Sequence, residues 1–249
     1  MEIDKNELTD SDYWKESYLG TEFFNMSKTS VIYQTIAKNI PKGDGKTSLE
    51  IGIYPSTYSQ VLGDLGYEIN GIDRIELVKT AMKKWLLSNN YNVGDLICDD
   101  FFTHQFEKQY DVVSSFGFIE HFKNFEEVLQ MKLSLVKKGG HIIIETPNFK
   151  GKVQRILKKL LDKKNLDIHY IPSMDFDKWR KVLENHNFEI ITEEYLGVFS
   201  LQTYDQKRNV IQRVIIKLIN NKKYFIRKYL LKGVAKNHSP IMIMIARKK

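Results

Sequence analysis

The stretch TSLEIGIYPSTYSQVLGDLGYEINGID, residues 47–73, decides the fold. It opens with an apolar run of strand length, SLEIGI, and passes through a turn carrying Tyr54, Pro55 and Ser56. Tyr58, Val61, Leu62 and Leu65 then recur at helical spacing, Gly66 stops the helix, and a second apolar run, YEINGID, closes on Asp73. Strand, helix and strand in this order predict a parallel pair joined by a crossover. An acid ending the second strand, about 20 residues after the first turn, can take two hydrogen bonds from a ribose diol. The turn discriminates among nucleotide ligands. Pyrophosphate needs a ring of backbone N–H groups, usually supplied by a glycine-rich loop. This turn offers Gly52, then Ile53, Tyr54 and Pro55, and proline has no N–H to give. A ligand with no phosphate at this point asks less of the loop.

The same alternation continues outward. RIELVKTAMKKWLLSNN (74–90) predicts a helix, VGDLICDDFF (93–102) a third strand and YDVVSSFGFIEHF (110–122) a fourth. A helix over FEEVLQMKLSLVKKGG (125–140) follows, with the Gly139–Gly140 pair dividing it from a fifth strand, HIIIETPNF. DFDKWRKVLENHNFEIITEEYLGVF (175–199) predicts a helix and a strand, and SPIMIMIARKK (239–249) a last strand. Ahead of the first strand, SVIYQTIAKNI (30–40) places Val31, Ile32, Thr35, Ile36 and Ile40 on one helical face. Strand-end residues in such a sheet form the ligand crevice. They are Glu50 with Gly52, Asp73, Asp99 with Asp100, and the run from Ser114 to His121.

With 42% hydrophobic residues, 14 Gly and 5 Pro, the chain is composed like a packed domain. Cys98 is its single cysteine, which excludes an intramolecular disulfide and a Cys-based metal cage. The start MEIDKNELTDSDYW has neither a basic n-region nor an apolar h-region, so a cytoplasmic location is expected. The net charge of +7 is concentrated late. Residues 207–236 hold ten Lys or Arg and no Asp or Glu, and interleave them with Val214, Ile215, Leu218 and Ile219. This segment is too long for a plain connection. It is expected to be a basic helical insertion, about residues 205–237, that caps an anionic substrate or rests on an anionic membrane surface.

The motifs LEIG, GID, CDDFF, YDVVSSFGFIEHF and LVKKGGHIIIETPN, in this order and at these intervals, resemble the class I S-adenosylmethionine-dependent methyltransferases. The likeness is to the small-molecule branch that includes ubiquinone-biosynthesis-like enzymes, and covers roughly residues 48–149. It implies an α/β fold: a Rossmann-like, seven-stranded, mostly parallel sheet with an antiparallel last strand and helices on both faces. Residues 1–45 would form an N-terminal helical lid and 46–249 the methyltransferase domain. The cofactor implied is S-adenosyl-L-methionine, with S-adenosyl-L-homocysteine as product. Glu50 and Gly52 would lie beside the methionine part with the Tyr54 turn nearby, and Asp73 on the ribose. Asp99 or Asp100 would meet the adenine amino group, Phe101 would pack on the adenine, and Ser115, Phe116 and Gly117 would pass under the methionine part. The departure is at Tyr54 and Ser56, where the family has its second and third glycines.

His121, at the end of the fourth strand, is a candidate base or acceptor-positioning residue, and His169 in DIHYIPS is a second. His104, His141, His186 and His238 show no metal-ligand spacing, and no metal is expected. Tyr13 and Trp14 are candidates for the lid. The expected activity is O- or N-methylation of a small or carrier-linked anionic acceptor, for example a sugar or surface-glycan precursor. The alternative is a non-catalytic binding protein of the same fold with a degenerate first motif. A nucleic-acid partner is not expected, because no Asn/Asp-Pro-Pro-aromatic run follows the fourth strand. A nicotinamide oxidoreductase is disfavoured by the phosphate argument.

Overall fold

Both strands of the 47–73 stretch form and pair in parallel, Thr47–Ile51 (β1) against Glu68–Asp73 (β2), with Ser59–Asp64 (α3) between them. The computed structural model describes residues 6–9, 11–18, 20–55, 57–201, 209–221 and 233–249. Within them, Ser11–Ser17 (α1) and Val31–Asn39 (α2) precede β1. After β2 come Ala81–Ser88 (α4), Val93–Cys98 (β3), Tyr110–Phe116 (β4) and Phe125–Ser134 (α5). Val136–Pro147 (β5), Lys152–Leu161 (α6), Lys163–Asp167 (α7), Phe176–Asn185 (α8), Phe188–Leu196 (β6), Val210–Asn220 (α9) and Ile241–Lys248 (β7) complete the order.

The seven strands stand in the order β3-β2-β1-β4-β5-β7-β6. All pairs through β5 are parallel, and β7 runs antiparallel to β5 and β6. The chain leaves β1 toward one edge and returns to β4 on its other side. Ligand crevices open at such a reversal.

Period-two alternation sends neighbouring residues of one strand to opposite faces. Val112, Ile143, Ile243 and Ile245 pack with Ile32, Ile36, Val61 and Leu62 of α2 and α3. Val113, Ile142, Ile144, Met242 and Met244 pack with Val128, Leu129, Trp179 and Leu183 of α5 and α8. Burial on both faces is why these strands read as unbroken apolar runs. α2 starts on Ser30, whose side chain accepts the Tyr33 N–H.

Two boundaries differ from expectation. β5 begins at Val136, before the Gly139–Gly140 pair, because Val136 already pairs with Tyr110; the register then shifts, with Gly139 at φ +78°, before pairing resumes at Val112↔His141. The helix expected over 74–90 divides into a 3₁₀ turn, Glu76–Val78, and α4; Thr80, at φ −113° and ψ −81°, breaks the spiral.

α6 is tied across the sheet's carboxyl edge. The Asn148 amide donates to the Lys236 and Ser239 carbonyls at 2.8 and 2.9 Å, and Gln154 donates to those of Ser200 and His238 at 3.1 and 3.0 Å. α9 packs outside it around Leu161, Phe199, Leu201 and Ile219. Of the expected 205–237 insertion, only α9 with its flanks and residues 233–237 are described; Arg208, Lys222 and Lys223 lie outside the described residues. Among the described residues no helix is long and apolar enough to cross a membrane.

Candidate active site

The turn after β1 is built from β2. Gly52, at φ +76°, donates its N–H to the Ile72 carbonyl at 2.9 Å. A Cβ at this position would lie 2.8 Å from the Phe118 ring, so both the backbone angle and the close approach require glycine. The Asp73 carboxylate then accepts the Tyr54 N–H on one oxygen at 2.9 Å and the Ile75 N–H on the other at 3.0 Å. One acid thus holds the turn at Tyr54 and Pro55 in place of further glycines. Each of its oxygens keeps a lone pair for a second donor. Burial raises the Asp73 carboxyl to about 6 against these two N–H bonds and the nearby Arg74.

A narrow cleft of about 90 Å³ gathers Gly52, Tyr54, Asp73, Asp99, Asp100, Phe101, Phe116 and Gly117. Eight of the expected cofactor residues therefore meet in one place. Asp99 accepts from His104 Nδ1 at 2.8 Å, which holds its carboxyl below the usual range, and both acids face the cleft. Phe101 shares its burial between cleft and core. Two expectations differ in facing. Ser115 is buried and turned toward α5, where it accepts from Lys132 Nζ at 2.7 Å. Glu50 is 1% exposed and is not among the residues lining the cleft.

The cleft continues into a chamber of about 610 Å³, lined among others by Tyr58, Glu120, His121, Glu145, Phe149, Lys158 and His169. Phe116, Gly117 and His121 belong to both spaces. His121 Nδ1 donates to the Ile168 carbonyl at 2.9 Å, and His169 Nδ1 to that of Asn165 at 2.5 Å. Burial lowers His121 to about 4 despite the Ile168 and Gly117 carbonyls, and burial with His121 beside it lowers His169 to about 3. Both rings are neutral at neutral pH. Glu145 ends β5 in the chamber, its carboxyl raised by burial to about 8. Lys158 is buried against Asp162 at 2.8 Å.

The N-terminal segment lies over both spaces. Its backbone bridges Glu7 to Phe122, Leu8 N–H donates to the His121 carbonyl at 2.8 Å, and Glu7 pairs with Arg74 at 2.6 Å. Trp14 stands edge-on to His121 with ring centres 4.9 Å apart, and Trp14 and Tyr18 line cleft and chamber alike. Tyr13 packs edge-on against Trp14.

Sequence reading passed over Glu145, Phe118, Tyr18 and Tyr58. Glu145 carried a usable signal, since it closes a strand by the logic that selected Asp73. Phe118 over Gly52 carried none, because only folding brings the ring to that Cα.

The geometry is a narrow crevice at the strand ends that opens onto a wider chamber. A family model for a methyltransferase domain matches residues 29–193, and the chain belongs to that family. The ubiquinone biosynthesis O-methyltransferase of Hydrogenovibrio crunogenus (strain DSM 25203 / XCL-2) is 26% identical over 144 residues, which is 57% of this chain and 58% of that protein. The match thus spans less than two thirds of the relative's length. The structure of magnesium protoporphyrin IX methyltransferase from Synechocystis PCC 6803 with bound S-adenosylhomocysteine superposes with a TM-score of 0.55 at 17% identity, covering 96% of this chain and 93% of that one. A SAM-dependent methyltransferase from Archaeoglobus fulgidus gives 0.55 at 20% identity, covering 96% and 100%. Both establish the class I fold.

Proposed function

We propose that the protein transfers the methyl group of S-adenosylmethionine to an oxygen or nitrogen of a small or carrier-linked acceptor. The observation that carries this reading is the convergence of Gly52, Asp73, Asp99 and Asp100 on one cleft that opens onto the His121–His169 chamber. The donor set fits the cofactor. Asp73 has lone pairs for a diol, Asp99 or Asp100 can take the adenine amino group beside Phe101, and Gly52 with Phe116–Gly117 lines the cleft where the methionine part would run. Trp14 on α1 and Tyr18 just after it line the cleft, which supports a lid role for this N-terminal segment.

When bound, the cofactor supplies an electrophilic methyl on a sulfonium. The chain's part is chiefly positioning, because in-line displacement rewards alignment above all. His121 and His169, neutral and fixed by backbone carbonyls, accept a hydrogen bond from the acceptor and aim its lone pair. The alternative, a binding protein without turnover, keeps the cleft and loses the alignment.

The finer reading is an anionic acceptor. Arg155 and Lys159 on α6, and Arg213 and Lys217 on α9, are exposed beside the apolar Ile156, Leu160, Val210 and Val214. A basic face concentrates anions and weakens with salt. Its apolar residues suit the lipid of a carrier or a peripheral membrane contact. Replacing Arg213 and Lys217 by Glu should raise the Michaelis constant for an anionic acceptor several-fold and leave cofactor affinity unchanged. An unmoved constant, insensitive to salt, contradicts the anionic reading alone.

For methyl transfer itself, millimolar S-adenosylhomocysteine should raise the melting temperature, since a ligand that binds only the folded state stabilises it. No shift contradicts the proposal. The affinity should also depend on pH. A diol donates to an ionised carboxylate, so binding should strengthen as pH rises through about 6, where Asp73 titrates, and level off above it. At pH 5 the dissociation constant should be about tenfold weaker than at pH 7.5. Stability runs the other way: the folded carboxyl lies above its 3.8 reference, so its ionisation counts against the fold as pH rises from about 4 to 6. Asp73→Asn should flatten the binding profile; a flat profile in the unaltered protein contradicts the assignment.

A further inference from the structure

Glu120, His121 and His169 lie in the acceptor chamber, each at least 91% buried, and each offers one ligand atom within 4.8 Å of the others. From this geometry we infer that the three form a binding site for one divalent transition metal ion, open on its remaining positions to the acceptor chamber.

Several independent features point to an ion. Both Glu120 oxygens are buried with no hydrogen-bond partner among the described residues, although a buried carboxylate is costly unless paired. Its own backbone N–H and Lys132 are the nearest compensation, but burial also pushes the Lys132 ammonium well below its usual range, and Glu145 adds a second acid. Lys132 is itself spent on Ser115 and on the Phe118 ring, 4.5 Å from its centre.

The two imidazoles are oriented in the way metal-ligating histidines are. Each places Nδ1 on a backbone carbonyl, Ile168 for His121 and Asn165 for His169, the outer contact by which metal-binding imidazoles are held. The Gly117 carbonyl is a second hydrogen-bond partner of the His121 ring, and an ion would take the place of that contact. The backbone locks the set together. Glu120 and His121 stand on the 3₁₀ turn Ile119–His121 after β4, and His169 follows α7. The Tyr170 N–H donates to the Glu120 carbonyl at 2.6 Å, and the His121 ring grips Ile168, so the two segments are stapled on both sides of the site. The His121 and His169 ring centres are 4.7 Å apart.

Two imidazoles and one carboxylate suit Zn²⁺, Mn²⁺ or Fe²⁺ better than Mg²⁺ or Ca²⁺, which prefer all-oxygen shells. Ligands at roughly 2.0–2.2 Å from an ion draw closer together than 4.8 Å, which side-chain torsions can supply. The inference deepens the methyl-transfer reading. An ion here would polarise an acceptor hydroxyl and lower its pKa, so that oxygen reaches the methyl carbon as alkoxide or phenolate. The carbon–sulfur bond breaks as the carbon–oxygen bond forms, and the hydroxyl proton leaves to water. His121 and His169 would then hold the ion instead of the acceptor. The absence of metal-ligand spacing among the other histidines does not bear on these two, because they stand 48 positions apart in the chain and only the fold joins them.

The test is calorimetric titration of Zn²⁺ into chelator-stripped full-length protein with no cofactor present. One site of micromolar or tighter affinity is expected, weakened at least tenfold in Glu120→Gln and in His169→Ala and unchanged in His186→Ala. Absence of binding overturns the inference, as does equal affinity in all four proteins. Should the two variants fail to fold by circular dichroism, the visible ligand-field bands of Co²⁺ on the unaltered protein decide, and a spectrum of the hexaaquo ion overturns the site. S-adenosylhomocysteine binding, measured separately, reports on methyl transfer and not on this site.

Discussion

Asp73→Ala should weaken S-adenosylhomocysteine binding by at least tenfold in calorimetric titration. On the proposed reading the substitution removes two charge-assisted contacts to the ribose, each worth roughly 1.5–3 kcal/mol. It also frees the Tyr54 and Ile75 N–H groups, which lose their acceptor in a half-buried turn. The second effect adds to the first, because the turn then rests on the Gly52 and Ile53 N–H bonds to the Ile72 carbonyl, at 2.9 and 3.4 Å. A tenfold loss corresponds to about 1.4 kcal/mol, so even half of the smaller estimate for the pair suffices. Circular dichroism should show the fold retained, since the carboxylate stands at the sheet's edge. An unchanged dissociation constant would mean that Asp73 holds the turn and nothing more.

The largest effect on stability is expected at Trp179→Ala. Trp179 is fully buried on α8 and donates its indole N–H to the Ser173 carbonyl at 2.6 Å. It packs edge-on against Phe176 and inside the cluster that joins α5 and α8 to the sheet. Truncation leaves a cavity and costs about 3–5 kcal/mol. At roughly 2–4 °C per kcal/mol for a chain of this size, the melting temperature should fall by about 6–20 °C in calorimetry. Trp179 lines neither cleft nor chamber, so S-adenosylhomocysteine affinity well below the transition should survive. A loss below about 1 kcal/mol would show that α8 does not pack as described.

The parts of this molecule that could be read from the chain are those fixed by local pattern. Leu49 and Ile51, Ile142 to Ile144 and Met242 to Ile245 form apolar runs because both faces of the sheet are covered, and Asp73 and Asp99 follow strands whose ends any such pattern exposes. Facing was harder. Ser115 and Phe116 are adjacent, yet the pleat sends one to Lys132 and the other to the cleft. Long-range meetings were out of reach: Phe118 over Gly52 and His169 beside His121 are made by topology, with no periodicity to announce them. The question posed by Tyr54 and Pro55 has a local answer in the structure. β2 supplies, through one carboxylate, the anchoring that a glycine-rich loop would otherwise provide with its own N–H groups.

The central claim is that this cleft holds a nucleoside without a phosphate. It is tested most directly by titrating S-adenosylhomocysteine and, in parallel, a nicotinamide dinucleotide into the unaltered protein. One site per chain with a micromolar dissociation constant for the former, and no heat from the latter, is the predicted result. Heat from the dinucleotide alone, or from neither at millimolar concentration, would contradict the account.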